Sequence, residues 1–319
     1  MAMLPELRAA VVGAGRLGSL HAAKYAALEG VRLAWVVDTD LERARRIAAQ
    51  YGAEALCDYR QLDGKADIAT VASPGVTHHE IASHLLSAGY DVLLEKPMAT
   101  TLEQARSLAD AARHSARILQ IGHLERFNPA IRHLRSIVNA PRFVECHRLA
   151  PFTERGTDVD VILDLMVHDL DVILSLTRAD VVSVEAVGVA VLTDQVDVAN
   201  ARIRFADGLI ANLNTSRVAP RRERKIRFFQ SDAYISVDYE ARRIQVYRKS
   251  PPPPGSAYPL ISAEQIELGD ADPLADEVAS FVAAVRSRAT PPVTAQDGLR
   301  TIELIEWIKA EMERPLAGA

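Results

Sequence analysis

The sequence predicts an α/β protein, in which a doubly wound parallel sheet is followed by an α+β region with an open, mostly antiparallel sheet. In the first 122 residues, short continuous apolar runs alternate with helical segments, a pattern typical of strands that are covered on both faces. After residue 122, consecutive strand-like runs are separated by turn residues. The length of 319 residues is enough for two domains, which we expect at 1–122 and 123–319.

The elements of the first region follow from their periodicity and their boundary residues. Strands are expected at Ala9–Val12, Val31–Val37, Asp67–Ala72, Tyr90–Leu94 and Arg117–Ile121. Helices are expected at Arg16–Glu29, Leu41–Tyr51, Thr77–Ala88 and Leu102–His114. Because helices connect successive strands, the strands are predicted to pair in parallel.

The second region is predicted to place helices before and after a run of strands. The helices are expected at Pro129–Val138, Ile162–Leu176, Pro273–Arg288 and Ala295–Met312. The strands are expected at Arg142–Leu149, Val181–Val191, Val198–Phe205, Leu209–Thr215, Lys225–Gln230, Tyr234–Val237 and Arg243–Tyr247. Asp207-Gly208 and Ser231-Asp232 lie where hairpin turns are expected. The sequence leaves open whether the C-terminal helices pack back on the first domain.

Composition and charge exclude several classes of protein. The net charge is −5, whereas general nucleic-acid binding needs a basic excess. Two cysteines, Cys57 and Cys146, are too few for a disulfide framework or a multi-thiolate metal site. No apolar run is long enough for a transmembrane helix, and the first residues do not resemble a secretory signal. We therefore expect a cytoplasmic enzyme or ligand-binding protein that does not associate with membranes.

A glycine-rich loop joins the first predicted strand to the first helix. It reads Gly13, Ala14, Gly15, Arg16, Leu17 and Gly18. In this strand–loop–helix context the pattern predicts a Rossmann dinucleotide-binding turn, with pyrophosphate at the helix N-terminus. A purely structural glycine turn is the alternative.

Asp38 ends the second strand, 20 residues after Gly18. A carboxylate at this position accepts hydrogen bonds from a ribose 2′-hydroxyl and repels a 2′-phosphate, so NAD is favoured over NADP. Arg43 and Arg45 follow on the next helix, where we expect them to form its solvated face.

Two further groups are candidates for chemistry. Glu95-Lys96-Pro97 ends a strand at the edge of the sheet where ligands bind. Taken alone, a lysine there is better explained as an exposed loop residue. Asp164 and His168 are four residues apart on a predicted helix, so they share a face. A histidine exchanges protons with a hydroxyl near neutral pH, but a satisfied structural pair is the alternative. His78, His79 and His123 do not have the spacing of a metal site, and no metal is predicted.

The glycine loop, Asp38, Glu95-Lys96-Pro97 and Asp164-x-x-x-His168 together resemble the glucose–fructose oxidoreductase, inositol dehydrogenase and rhizopine catabolism protein family over nearly the whole chain. This resemblance implies hydride transfer between a nicotinamide cofactor and a sugar or cyclitol carbon. It also implies that Lys96 and His168 flank the reacting carbinol, with Asp164 beside them. Many members carry Gly-Gly before this aspartate, whereas this chain has Asp160-Val161-Ile162-Leu163. The expected cofactor-binding residues are Gly13, Gly15, Arg16, Leu17, Gly18, Asp38, Ser73, His78, Glu95 and Lys96.

Two segments are similar to the nucleotide-sugar branch, and most of all to UDP-N-acetylglucosamine 3-dehydrogenases. They are 122–129, GHLERFNP, and 163–171, LDLMVHDLD. This similarity implies a 3-keto product that is aminated in lipid A precursor synthesis. The expected substrate-binding residues are His123, Glu125, Arg126, Arg155, Asp164, His168 and Arg217.

The segment Arg217–Arg227 contains six basic residues and one acid, Glu223. It is consistent either with a diphosphate clamp, as is Arg155, or with the solvated face of an edge strand. Alternative functions are a dehydrogenase of another UDP-sugar, a free sugar or inositol, and a regulator that binds NAD and sugar without turnover.

A homodimer or homotetramer is also expected. The predicted helices are enough to cover only one face of the second sheet, and large bare apolar surfaces are rare on monomers. The residues expected to form the apolar open face are Val198, Ala201, Ile203, Phe205, Leu209, Ala211 and Leu213.

Overall fold

The computed structural model describes residues 5–153, 157 and 159–314. The chain forms two compact units. The first extends to Phe127 and also contains Asp272–Ile302, and the second contains Asn128–Ala271 and the chain from Glu303 onwards. None of the helices in the described ranges is both long and apolar enough to cross a membrane.

The first unit is built on a parallel sheet. Its strands are β1 Leu7–Val12, β2 Val31–Val37, β3 Glu54–Leu56, β4 Ile68–Val71, β5 Asp91–Glu95 and β6 Leu119–Gly122. Over the described residues their order is β3-β2-β1-β4-β5-β6. The order reverses between β1 and β4, and the carboxyl ends of strands at such a point form the ligand-binding crevice of doubly wound sheets.

Helices cover both faces of this sheet. They are α1 Arg16–Ala27, α2 Leu41–Tyr51, α3 His78–Ser87 and α4 Leu102–Ser115. A later helix, Pro273–Ser287, also belongs to this unit, and its Val278 and Phe281 are buried in the same core as Ala22 and Tyr25 of α1. Placing these apolar side chains out of water is the main stabilising contribution to this unit.

The second unit contains the larger sheet. Its helices are α5 Pro129–Ile137 and α6 Val167–Leu176. Later in the chain come α7 Pro273–Ser287, which belongs to the first unit, and α8 Ala295–Met312, of which the residues to Ile302 belong to the first unit and the rest to the second. The strands are β7 Phe143–Leu149, β8 Val181–Val189, β9 Val198–Phe205, β10 Ile210–Ser216, β11 Glu223–Phe229, β12 Ala233–Asp238, β13 Arg243–Ser250 and β14 Leu260–Glu267. Their order is β14-β13-β12-β11-β7-β10-β9-β8; β7 and β10 are parallel, and the other neighbours are antiparallel.

The predicted fold class is confirmed, while two strands were missed. β3 has only three residues, too few to show a period. Residues of β14 are exposed on both sides of the strand, so its sequence lacks the apolar alternation of a half-buried strand.

The residues expected to form an apolar open face lie on the covered face of the sheet instead, except Val198, which is half-buried. Ala201, Ile203, Phe205 and Leu213 are buried within the chain, as are Leu209 and Ala211. Alternation identifies the residues that share a face of a sheet, but not the face that the chain's own helices cover. The face opposite these residues carries Asn200, Arg202, Asn212 and Asn214 on β9 and β10.

Candidate active site

The loop after β1 leaves room for the phosphates of a dinucleotide. Gly13 has φ +96°, and a Cβ there would lie 2.7 Å from the backbone of the loop after β4. A Cβ on Gly15 would meet no atom within 4 Å, so the space before it is open. Gly15 provides no side-chain cap for α1. The first amides of α1, from Arg16 and Leu17 onwards, therefore remain available to an anion. Gly18 packs so closely that its Cβ would lie 1.7 Å from the Gly13 carbonyl oxygen.

Asp38 is held against this glycine loop. Its Oδ2 accepts a hydrogen bond of 2.8 Å from the amide of Ala14, and its Oδ1 accepts one of 2.9 Å from the amide of Asp40. The Arg43 Nη1 lies 3.4 Å from Oδ1. A carboxylate has about four acceptor positions, so capacity remains for ribose hydroxyls.

A cavity of about 490 Å³ opens beside Asp38 in the first unit. Its lining includes Gly13, Asp38, Arg43, Tyr59, Arg60, Ser73 and Thr77. The cavity combines the glycine turn, a ribose-type carboxylate and the flat face of Tyr59, over which the Arg60 guanidinium lies at 4.5 Å. These groups fit the adenosine half of a nicotinamide dinucleotide.

His78 connects the loops that follow β4 and β5. Its Nδ1 lies 2.8 Å from the Pro97 carbonyl oxygen, and its Nε2 lies 2.9 Å from that of Ser73. Burial lowers the pKa of His78, although the two carbonyls oppose this effect. The side chain is 1% exposed, so it holds the two loops in place, whereas Ser73 lines the cavity.

Glu95 and Lys96 follow directly on β5. The Glu95 carboxylate is 5% exposed; its Oε1 lies 2.7 Å from the His21 Nε2, and its Oε2 accepts a 3.3 Å hydrogen bond from the Lys96 amide. Glu95 therefore holds the backbone of Lys96, while the Lys96 side chain is half-buried.

His123, Glu125 and Arg126 lie in and just before the helical turn Leu124–Phe127. All three are buried, with exposures of 2%, 6% and 8%. The Arg126 Nη2 lies 3.5 Å from Asp297 of the same unit. The structure thus places these predicted substrate residues in a packed turn beneath α7.

The segment before α6 is a π-helical turn, Ile162–Met166. Asp160 caps it: its Oδ1 accepts hydrogen bonds of 3.0 and 2.9 Å from the amides of Ile162 and Leu163. The other oxygen of Asp160 lies 2.7 Å from Lys309 Nζ on α8. Single π turns are frequent at functional sites. Asp160 therefore fixes the start of this helix.

Asp164 lies within the π turn, and His168 lies in the first turn of α6. Both side chains are half-buried. The next acid, Asp169, is buried and accepts two hydrogen bonds from Arg148 of β7, at 2.9 and 2.8 Å. This buried ion pair ties α6 to the sheet. Asp169 therefore has a structural role, unlike the candidate groups Asp164 and His168.

Arg217 does not have the free donors of a diphosphate clamp. It is 4% exposed; its Nε donates to Asp197 Oδ1 at 2.9 Å, and its Nη2 donates to the Val159 carbonyl at 2.8 Å. Backbone amides of residues 191–193 hold the pKa of Asp197 below its usual range, against the opposing effect of burial. The interpretation of Arg217 as a phosphate ligand is therefore replaced by a structural one. Arg155 lies outside the described residues.

Sequence reasoning missed Asp160, Tyr59 and Arg60. Asp160 precedes the helix by two residues, which is a recognisable capping position. Tyr59 and Arg60 lie on a short helical turn, Tyr59–Leu62, that no hydrophobic period announces. The surroundings of Arg43 and Glu277 also required the fold. Arg43 lies beside Asp38 at the end of β2, and Glu277 lies near His21 and Glu95, which are distant from it in sequence.

Comparisons with known proteins agree with this arrangement. A family model described as an oxidoreductase family with an NAD-binding Rossmann fold matches residues 7–123. A model of the GFO/IDH/MocA C-terminal domain matches residues 130–236.

Individual proteins are also similar to this chain. The UDP-N-acetylglucosamine 3-dehydrogenase of Acidithiobacillus ferrooxidans is 40% identical over 282 residues, which are 88% of this chain and 89% of that protein. A solved structure of UDP-N-acetylglucosamine 3-dehydrogenase from that organism matches with a TM-score of 0.90 and 36% identity, covering 98% and 99% of the two chains. The inositol 2-dehydrogenase of Burkholderia lata is 31% identical over 193 residues, 57% of each protein. This chain is thus an enzyme of the oxidoreductase class, and it belongs to the GFO/IDH/MocA family.

Proposed function

We propose that the protein oxidises a secondary alcohol of a nucleotide sugar with NAD, and that the substrate is UDP-N-acetylglucosamine, oxidised at its 3-hydroxyl. The identity of 40% with a UDP-N-acetylglucosamine 3-dehydrogenase, over 88% of this chain, carries the proposal. The product is a 3-keto sugar, and we place the reaction before amination in lipid A precursor synthesis. A cytoplasmic location accords with that role.

The residues of the first unit support NAD as the cofactor. The open space before Gly15 and the uncapped start of α1 suit a pyrophosphate. Asp38 keeps acceptor capacity for the ribose hydroxyls and opposes a 2′-phosphate by charge repulsion. Arg43, 3.4 Å from Asp38, reduces this repulsion but does not remove the carboxylate. We therefore propose that the enzyme prefers NAD to NADP.

The chemistry assigned to this chain's residues is a proton transfer with charge stabilisation. His168 takes the proton of the substrate hydroxyl, and Asp164 orients the substrate or His168. Lys96, as an ammonium group, donates a hydrogen bond to the developing alkoxide. When bound, the nicotinamide ring supplies the hydride acceptor. Glu95 holds the Lys96 backbone through the amide contact described above.

A second candidate is oxidation of a cyclitol, because inositol 2-dehydrogenases match part of the chain. The match covers 57% of this chain, against 88% for the nucleotide-sugar enzyme. We therefore rank the cyclitol second.

Purified protein incubated with NAD and separate candidate substrates tests the proposal. The candidates are UDP-N-acetylglucosamine, UDP-glucose, N-acetylglucosamine and myo-inositol, with absorbance of the reduced cofactor and product mass as readouts. We expect turnover to be highest with UDP-N-acetylglucosamine. Highest kcat/KM with myo-inositol would instead support the second candidate. Binding of both NAD and the nucleotide sugar without product would indicate a regulator.

A further inference from the structure

A buried group of three titratable side chains lies in the first unit and includes Glu95, the residue before Lys96. His21 comes from α1, Glu95 from β5 and Glu277 from α7. One donor or acceptor atom from each lies within 4.8 Å of the others. His21 and Glu277 are 0% exposed and Glu95 is 5% exposed. None of the chemistry proposed above uses His21 or Glu277.

The surroundings of Glu277 are unusual for a carboxylate. Neither of its side-chain oxygens has a hydrogen-bond partner among the described residues. Its neighbour Glu95, by contrast, lies 2.7 Å from His21 Nε2 and accepts a hydrogen bond from the Lys96 amide. An ionised carboxylate that is buried without a partner is strongly unfavourable. One negative charge can therefore be accommodated on Glu95, but a second on Glu277 cannot.

We propose that Glu277 is a protonated, neutral carboxylic acid in the folded enzyme. Glu95 is then the only carboxylate of the three-residue group that carries a negative charge, and it stays bound to the Lys96 amide. Glu277 is then a positioning residue for Lys96. This consequence rests on the function proposed above, whereas the protonation of Glu277 does not.

The charged and titratable groups around Glu277 agree with this assignment. Burial, and then the charge of Glu95, hold the pKa of Glu277 well above its usual value. Tyr25 faces it from α1 with its hydroxyl hydrogen bonded to Thr70, and its own pKa is raised by burial. From β6, Gln120 donates to the backbone carbonyl of Glu277 at 3.2 Å.

Two more charged side chains, Glu125 and Arg126, come from the helical turn that packs against α7. Their opposite charges lie side by side in sequence. Ionisation of Glu277 would bring a second carboxylate close to Glu95, and the repulsion would displace Glu95 from the Lys96 amide.

Unfolding as a function of pH tests the protonation. The folded pKa of Glu277 is raised above its unfolded value near 4.5, so its stabilising effect is complete below about pH 4.5 and is lost as pH rises toward the folded pKa. The variant Glu277→Gln is neutral in both states. We expect the unfolding equilibrium constant of the wild type, relative to Glu277→Gln, to rise by up to about tenfold per pH unit above pH 5. Glu29→Gln, at an exposed position, is the matched control and should run parallel to the wild type.

Infrared spectroscopy gives an independent readout, because the presence or absence of the band in the wild type alone already tests the protonation. At pH 7 exposed carboxyl groups are ionised, so the wild type should retain the carbonyl band of a protonated carboxyl. Glu277→Gln should lack it, and Glu29→Gln should keep it. Absence of this band from the wild type would overturn the proposal.

The pH profile of kcat tests the positioning role. If neutral Glu277 keeps Glu95 bound to the Lys96 amide, ionisation of Glu277 at higher pH lowers kcat of the wild type but not of Glu277→Gln. The ratio of kcat for Glu277→Gln to that for the wild type therefore rises with pH. A merely structural residue gives a constant ratio.

Two outcomes would contradict the neutral acid. One is that the stability of the wild type and that of Glu277→Gln change in parallel from about pH 5 to pH 9, and the other is that added Zn²⁺ stabilises the wild type but not Glu277→Gln. Failure of all sugars to reduce NAD would refute the proposed function while leaving the stability and infrared results interpretable.

Discussion

At the scale of single residues, we propose that Asp38 sets the preference of the first unit for NAD over NADP. Its carboxylate is fixed by the amides of Ala14 and Asp40, and Asp38 lines the cavity. The sequence predicted this role from spacing alone. It did not predict Arg43 beside the carboxylate, because a residue on an amphipathic helix is usually solvated.

Replacing Asp38 by Ala should weaken NAD binding and raise the use of NADP relative to NAD. Loss of a hydrogen bond to a charged group costs about 1.5–3 kcal/mol, which is roughly a tenfold to hundredfold increase in Kd. Calorimetry with both cofactors measures the change. Asp40→Asn keeps a capping side chain at α2 and serves as the control, with the NAD to NADP ratio unaltered. A wild type that prefers NADP would show that Asp38 has been misassigned.

Lys96→Met and His168→Asn should each lower kcat by about 10²–10⁴-fold and leave NAD affinity largely intact, because neither acts on the adenosine half. Interactions formed only in the transition state lower kcat and kcat/KM together. If both residues serve one proton transfer, the double variant is little worse than the poorer single variant. Full kcat in His168→Asn would remove His168 from the mechanism and make Lys96 the base.

At the scale of elements, the π-helical turn before α6 depends on Asp160. Asp160→Ala removes the cap and the partner of Lys309, which should cost about 1 kcal/mol of stability and lower kcat through disorder of Asp164. Asp160→Asn retains an acceptor and should recover most of the activity. Thermal unfolding and steady-state kinetics on both variants, with Lys309→Met as a control for the ion pair alone, check this expectation. Equal kcat in the Ala and Asn variants would argue against a positioning role for the cap.

The Arg217–Asp197 pair holds the chain just before the π-helical turn, because Arg217 also donates a hydrogen bond to the Val159 carbonyl. Arg217→Ala removes the guanidinium from the buried Asp197, which keeps the amides of residues 191–193. A loss of about 1.5–3 kcal/mol in the free energy of unfolding is therefore expected. KM for a UDP-sugar and for the same sugar without diphosphate should change alike. A selective rise in KM for the UDP-sugar, with unaltered stability, would restore the diphosphate-clamp interpretation.

The elements show which features a sequence makes visible. Buried strands such as β2 and β5 were predicted almost residue by residue, because apolar continuity and glycine turns mark them. Two features depend on groups from distant parts of the chain. Arg217 forms a buried ion pair with Asp197, and Glu277 is buried beside Glu95 and His21. Spacing along the chain cannot reveal whether a charged residue meets a partner after folding. For this reason the sequence left Arg217 open between a phosphate ligand and a solvated residue, and it gave no role to Glu277.

At the scale of the whole molecule, we propose a homodimer or homotetramer that uses the sheet face opposite α6. A row of aromatic rings crosses that face: Phe143, Phe229, Tyr234 and Tyr247 have successive centroid distances of 5.3, 5.1 and 5.8 Å. Phe229 and Tyr247 are 37% and 38% exposed. Beside them, Arg227 lies 2.8 Å from Glu145 on the same face.

Phe229→Glu should weaken this association, because it places a charge among the aromatic rings. Sedimentation of the wild type at micromolar concentration should show an oligomer, and the variant should shift toward the monomer. An exposed substitution on the other unit, Glu29→Gln, should sediment like the wild type. A monomeric wild type would contradict the oligomer.

The central claim, oxidation at carbon 3 of UDP-N-acetylglucosamine by NAD, is tested most directly by tracing the hydride. Purified enzyme is incubated with NAD and UDP-N-acetylglucosamine that carries deuterium at carbon 3, and the reduced cofactor is analysed by mass spectrometry. We predict one deuterium in the reduced cofactor and none from substrate labelled at carbon 4. Reduced cofactor without deuterium, or deuterium transferred from carbon 4, would contradict the claim.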